Sequence, residues 1–379
     1  MANDNVKSPR FWINYVEFFN RVGICKYEDV ATNGIIGDSS NIVIGDIRNL
    51  VNVNPNNVII VSTDWDAQQG EGDEYFGIRF KTGYIGMPQV RFNFGALLNH
   101  NCNESGINIY SEMYSDEQAD GDDYDSYDGF PNIKGYVNYG KDENGDLNHQ
   151  GGIPEQNGFS IWTHDEGTLN NRRMEEIKLA FKLVDFGDNN EGYTADISFA
   201  FSGFMAGRYF DLESPSLSIK KSIIHPSIVS NETISGSIYT NIYNTQPEFK
   251  FQLADKGITT FSNNRSRTGK RVWELNFKSY EEESLFNYFS NQQTFDSEDM
   301  DNDSNHNVPY TSNSQGINME STFYSEVIHK TLGGTIPFIF QPDNTDKTNF
   351  ALCKLDTNSF QFSRQDYDVY NFSIRVVEI

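Results

Sequence analysis

Cysteine is scarce and scattered in this chain: Cys25, Cys102 and Cys353 are the only three in 379 residues. Such spacing offers neither a disulfide framework nor the paired ligands of a zinc site. A reduced, intracellular folding compartment is the simplest expectation. Positive charge is also in short supply, with 29 Lys plus Arg against 54 Asp plus Glu and a formal net charge of -25. Binding to phosphate backbones or anionic lipid needs Lys/Arg patches that release counterions, so neither a nucleic-acid partner nor a membrane surface is expected. No segment approaches the roughly 18 apolar residues of a membrane-spanning helix. The opening "MANDNVKSPRFWINYVEFF" lacks the basic and continuous apolar regions of a secretory signal, so a soluble product made in a cytoplasm is expected.

Reactive groupings are missing as well. His100, His149, His164, His225, His306 and His329 stand alone, with no H-E-x-x-H pair and no spacing that ligates one metal from a single element. No G-x-S-x-G elbow occurs. His164-Asp165-Glu166 is the nearest approach to an acid-base cluster, but neighbouring residues of a strand point to opposite faces, and a surface turn is the better reading. Cys25 and Cys353 have no neighbouring His and read as small buried apolar residues. Asp120, Asp122, Asp123, Asp125 and Asp128, or Asp142, Asn144 and Asp146, could offer oxygens to Ca²⁺. Ile153 stands where the closing acid of a twelve-residue calcium loop would fall, so a solvated loop is favoured. No catalytic, cofactor-binding or metal residue is nominated, and no cofactor is expected.

What the chain does have is aromatic residues at 14%, among them 20 Tyr and 29 Phe, set between many turns. That composition predicts a mainly β protein with short helices. The residues Phe11 to Val22 recur at three- and four-residue intervals after Ser8-Pro9, which could cap a helix, although "RFWINYVEF" also half-alternates as an extended arm would. "NIVIG", "NVIIVSTDW", "YFGIRFKTGYIG", "QVRFNFGALL" and "GFSIWT" read as strands. Glu112 to Asp146 is acidic and poor in apolar residues, and is expected to be a long surface loop. "IKLAFKLVDF" and "TADISFAFSGF" alternate strongly and are expected to pair with each other across "GDNNEG".

Pro215 and Pro226 punctuate an extended connection to a second unit containing "EFKFQLA" and "RVWELNF". Ser279 is then expected to cap a short helix with Glu281, Glu282 and Glu283 in its first turn and Leu285, Phe286 and Phe289 on its apolar face. A low-complexity loop over roughly 291–319 follows, then helical turns in "STFYSEVIHK". In "HKTLGGTIPFIFQPD" the apolar run follows Gly333-Gly334 and ends in turn chemistry, the reverse of a phosphate loop, so the glycines mark the bend before a buried strand. "FALCKLD", "SFQFSRQ" and "VYNFSIRVVEI" complete the strands. The division expected is an arm or helix at 1–30, a β-sandwich-like domain at 31–214 with its acidic loop at 112–146, and a second β domain at 215–379 interrupted at 291–319.

At "FSGFMAGRYFDLESPSLSI", "RTGKRVWELNFKSY" and the run from Phe323 to Ile379 the chain resembles virion structural proteins of contractile-tailed bacteriophages of marine bacteria. Those proteins also open with "KSPRF", as Lys7 to Phe11 do here. The C-terminal order is similar to the tail-tube and distal-tail family, whose R-x-W-x-L-x-F and P-F-x-F-x-P-D patterns are met by Arg271, Trp273, Leu275, Phe277, Pro337, Phe338, Phe340, Pro342 and Asp343. The resemblance covers roughly Gly203 to Ile379. It implies a tail-tube-like C-terminal domain, and a ring-forming subunit of a phage tail, neck or baseplate that is not an enzyme. Assembly would occur in the host bacterial cytoplasm, the destination would be the virion, and the partners would be further copies and other tail, neck or baseplate proteins. The competing expectation is a receptor- or glycan-binding β-sandwich adhesin, with "GFSIWTHDEG" around Trp162 as its patch, although Trp in an alternating strand is more often core.

Overall fold

The computed structural model describes residues 7–22, 42–46, 50–54, 57–66, 75–81, 93–102, 105, 107–114, 133–136, 158–163, 176–183, 194–215, 219–225, 228–242, 269–286, 322–346, 349–356 and 360–379. The expected strand "EFKFQLA", the loop 291–319, Cys25, the His164 turn and the candidate calcium loops from Asp120 to Asp146 lie outside the described residues.

The elements run β1 (Arg10–Asn14), α1 (Tyr15–Arg21), β2 (Ile42–Ile44), β3 (Ile59–Asp66), β4 (Tyr75–Lys81), β5 (Phe94–His100), β6 (Ile107–Tyr114), β7 (Ile133–Tyr136), β8 (Gly158–Thr163), β9 (Glu176–Leu183), β10 (Thr194–Phe201) and β11 (Gly203–Asp211). They continue through β12 (Lys220–Ile224), β13 (Ile228–Glu232), β14 (Ile238–Ile242), β15 (Lys270–Glu281), α2 (Glu282–Leu285), a π-helix (Tyr324–His329), β16 (Phe338–Gln341), β17 (Ala351–Leu355), β18 (Phe362–Asp366) and β19 (Val369–Glu378). The chain is mainly β, and every described strand pairing is antiparallel. Among the described residues no helix is long and apolar enough to cross a membrane.

Two compact units interleave in sequence. One comprises Met1–Trp12, Phe210–Glu282 and Thr331–Ile379, the other Ile13–Tyr209 and Glu283–Lys330. The grouping is discontinuous because a terminal segment can complete a sheet whose other strands lie far along the chain.

In the first unit that segment is β1, whose Phe11 lies opposite Phe340 of β16. The sheet runs β12-β15-β19-β17-β16-β1, with β18 on the same edge of β19 as β17. Phe11 packs its ring 5.4 Å from Phe338 and 5.3 Å from Phe340, and Trp273 meets Phe340 at 5.1 Å. Arg271 ties the last strand in place. Its guanidinium donates to Glu378 Oε1 at 3.0 Å, Phe350 O at 2.6 Å and Asn349 Oδ1 at 2.8 Å, and it lies over the Trp273 ring. Thus the residues of the R-x-W-x-L-x-F pattern form core and brace. Asp343 of P-F-x-F-x-P-D accepts from the backbone N–H and hydroxyl of Thr345, which closes the turn after β16.

The Gly333-Gly334 bend precedes a buried strand, as its sequence implies. Leu332, Gly333 and Gly334 all have positive φ, at 50°, 68° and 89°. A Cβ on Gly334 would lie 2.6 Å from the Cβ of Leu355, so glycine is required there both by φ and by close approach to β17.

The second unit contains a sandwich. One sheet runs β4-β9-β6-β7 and the other β10-β3-β2. Phe181 of β9 meets Phe199 and Phe201 of β10 at 4.9 and 5.0 Å, with all three rings buried. The expected hairpin between β9 and β10 is thereby corrected: β9 pairs with β4 and β6, and β10 with β3. Their apolar faces do meet, across the sandwich instead of along an edge, and alternation alone does not distinguish the two.

Three further expectations change. The segment 8–22 is both arm and helix: Ser8 and Pro9 precede a strand, and Asn14 caps α1 by accepting from the Glu17 N–H. Ser279 does not cap a helix; β15 runs on to Glu281, Ser279 sits at φ 62° in a bulge opposite β19, and its N–H donates to Asn371 Oδ1. The acidic stretch is not wholly loop, since β6 extends to Tyr114 and pairs with β7 inside it.

Candidate functional site

Two buried polar groupings and one exposed surface qualify for consideration. The first pairs His100 with Ser160, which the β5–β8 register brings together from 60 residues apart. Nε2 of His100 lies 2.9 Å from Ser160 Oγ, the spacing of a nucleophile and its base. The tautomer defeats that chemistry. The backbone N–H of Cys102 donates to Nδ1, so the proton resides on Nε2 and is donated to the serine oxygen. Burial also drives the imidazole pKa down to about 3, which keeps the ring neutral. The pair is a cross-strand tie. Sequence reading leaves His100 solitary because nothing local points to Ser160.

The second grouping centres on Glu326 of the π-helix. Thr322 and Ser325 brace the helix start, each backbone N–H donating to the other's hydroxyl oxygen. Glu326 is buried and accepts the hydroxyl of Tyr15 from α1. Its Oε1 stands 3.1 Å from Lys330 Nζ and 3.7 Å from Arg208 Nη1, and Lys330 Nζ lies 4.7 Å from the centre of the Tyr15 ring. Burial, then the Glu326 charge, holds the Tyr15 hydroxyl pKa well above its ordinary value. Burial lowers that of Lys330, partly opposed by Glu326. One carboxylate thus fixes two cations and a phenol within the fold, joining α1 to the π-helix. Its members come from residues 15, 208, 326 and 330, and only the Glu326–Lys330 spacing was visible locally.

Among the described residues no group of three or more His, Cys, Asp or Glu could hold a metal. Cys102 and Cys353 are free and buried, and burial raises the Cys102 thiol. Trp162 is buried at 4% exposure against Gly95, where a Cβ would come within 2.5 Å of the indole. The aromatic centre of the expected adhesin patch is therefore core.

The exposed surface is the β13–β14 hairpin of the first unit. Every residue from Ser230 to Thr240 is exposed. Ile234 is at the tip and fully exposed, with Ile238 at 69% and Tyr239 at 64%. The loop is nevertheless well ordered by bonding: Thr233 N–H donates to Ser237 O at 2.8 Å, Gly236 N–H to Thr233 O at 2.8 Å, and Ser237 N–H to Thr233 Oγ1 at 3.1 Å. Gly236 supplies the positive φ that such a hairpin loop needs. Ser230 and Thr240 hydrogen-bond across the strands. Sequence reading takes the stretch punctuated by Pro215 and Pro226 as an extended connection to a second unit and gives no sign that Ile234, Ile238 and Tyr239 are exposed.

The same unit carries an open groove of about 530 Å³ beside the Ser279 bulge. It is lined by the polar side chains of Asn276, Lys278, Gln361, Ser363, Asn371 and Ser373, while the stacked rings of Phe277 and Phe372, 4.8 Å apart, are buried. Lys220 and Lys221 lie on β12, the end strand of that sheet, where charged side chains discourage indiscriminate pairing. Searches against protein-family models, curated proteins and solved structures give no match to this chain.

Proposed function

We propose that the chain is a non-enzymatic structural component of a bacteriophage virion: a ring-forming tail, neck or baseplate subunit that assembles through sheet-edge and loop contacts with copies of itself and with other tail, neck or baseplate proteins. The observation that carries this reading is the β13–β14 hairpin. A two-stranded hairpin alone is marginal in water, and one that holds Ile234, Ile238 and Tyr239 in solvent gains nothing from them in its own fold. Such side chains acquire a purpose when another surface covers them.

Charge supports the same reading. A chain of net charge -25 repels its copies, so contact between copies favours segments of low charge. Residues 228–242 carry one charged side chain, Glu232. The sequence resemblance over Gly203 to Ile379 supplies the virion context. Mass spectrometry of gradient-purified phage particles, followed by localisation of the chain in averaged particle images, tests the reading. It predicts the chain in stoichiometric, symmetric copies in the tail, neck or baseplate; particles lacking it would overturn the proposal.

A further inference from the structure

We infer that the free edge of β14 pairs with the same edge of a second copy, antiparallel and centred on Thr240, joining two hairpins into one four-stranded sheet. This rests on the reading of the chain as an assembly subunit and names one contact it would use. The hairpin's own ladder sets the register. Thr233 N–H donates to Ser237 O, so those two residues bond across the hairpin and the pairs beyond them alternate. Asn231 with Tyr239 and Val229 with Asn241 are then the hydrogen-bonded pairs, whereas Glu232 with Ile238, Ser230 with Thr240 and Ile228 with Ile242 are not bonded through the backbone. The 3.1 Å between Ser230 Oγ and Thr240 Oγ1 fits the closer approach of such a pair. The backbone N–H and C=O groups of Ile238, Thr240 and Ile242 therefore point away from β13, and among the described residues β14 has no other partner strand.

These outward groups are symmetric about Thr240. Laid against its own copy, β14 brings Thr240 opposite Thr240 and Ile238 opposite Ile242, and each such pair exchanges two N–H···O bonds. A slip of one residue would set outward groups against residues whose own groups already serve the hairpin. Nothing guards this edge: β14 contains no charged residue and no Pro, and its register with β13 has no bulge. Charge selects a second copy as the occupant. A chain of net charge -25 meets itself here along a strand in which no acid faces an acid. The hairpin's one acid, Glu232, lies on β13. In the joined sheet the two Glu232 residues are three strand spacings apart, about 14 Å, beyond the roughly 8 Å screening length of physiological salt. Pairing also meets a need of the fold, because a two-stranded sheet is marginal alone. The contact is isologous, so it joins copies two by two, and a ring is closed through a different surface.

The test uses the full chain carrying Cys25→Ser, which leaves the buried Cys102 and Cys353 as its other thiols. Across the joined edges the two Thr240 Cα atoms lie about 5.5 Å apart, within disulfide reach, whereas the two Ser230 Cα atoms are about 14 Å apart. On oxidation Thr240→Cys should therefore give at least about tenfold more disulfide dimer than Ser230→Cys. Thr240→Lys and Thr240→Glu each set like charges opposite one another and should abolish capture of an untagged chain by a tagged copy of the same variant. Capture of one variant by the other should match wild type, because the opposed charges then attract. Ser230 and Thr240 are exposed, so urea midpoints stay at the wild-type value and separate lost pairing from lost folding. Equal cross-linking at the two positions, capture that neither variant alone disturbs, or a mixture that fails to associate overturns the inference. A virion ring whose β14 edges lie open or against another protein also overturns it and leaves the assembly reading standing. Specific Thr240 cross-linking by a chain that purified particles lack upholds the contact and overturns the virion reading.

Discussion

Lys330 Nζ lies 3.1 Å from Glu326 Oε1 within one turn of helix, both side chains buried, with Arg208 3.7 Å from the same oxygen. The carboxylate is shared by both cations and by the Tyr15 hydroxyl, which donates to it as a neutral group. Glu326→Gln should strip the buried Lys330 ammonium of the carboxylate beside it and destabilise the protein by about 3–5 kcal/mol. Tyr15→Phe removes one hydrogen bond to a charged group and should cost about 1.5–3 kcal/mol. Urea unfolding of each variant and of the double variant checks both values. A double-variant loss smaller than the sum is expected, because the phenol and the cations act on one carboxylate.

The His100 tie predicts a pH dependence of stability. Its folded pKa is depressed to about 3, whereas the unfolded side chain titrates near its ordinary value of 6.5. Between those values the unfolded chain binds the extra proton, so stability falls as pH drops from about 6.5 toward 3, by at most about 1.4 kcal/mol per pH unit from this group. Above pH 6.5 both states are neutral at this site and the contribution is flat. Wild type should lose melting temperature more steeply than His100→Gln over that window. Parallel curves would show that the histidine is not held neutral.

Gly333 and Gly334 separate two costs that glycine avoids. A Cβ on Gly333 meets nothing within 4 Å, so Gly333→Ala should cost only the strain of its positive φ, about 1 kcal/mol. Gly334→Ala adds a 2.6 Å approach to Leu355 and should cost at least about 3 kcal/mol. Urea midpoints measured side by side check the ordering.

Much of the fold is legible in the sequence because period-two alternation is a local signal. The alternation of Tyr370, Phe372, Ile374 and Val376 and of Trp273, Leu275 and Phe277 becomes β19 and β15, directly paired. Partner choice is not local. The alternating faces of β9 and β10 say that each has something to bury, yet not that Phe181 meets Phe199 across a sandwich. Length and capping misled at two places for a related reason: Asn14, inside an apolar run, outcompetes Ser8 as cap, and the bulge at Ser279 lets β15 continue where polar residues suggested a helix. The candidate surfaces were the least visible. Ile234 and Ile238 look like ordinary strand residues, and only their exposure marks them. His100 and Ser160 meet solely through the β5–β8 register.

The central claim is that this chain works by being built into a particle. Averaged electron-microscopy images of purified virions, at a resolution that traces β-strands, test it most directly. The account predicts a symmetric ring of copies in the tail, neck or baseplate, with Ile234, Ile238 and Tyr239 of each copy covered by a neighbouring subunit. Particles whose density and protein content hold no such chain would contradict it.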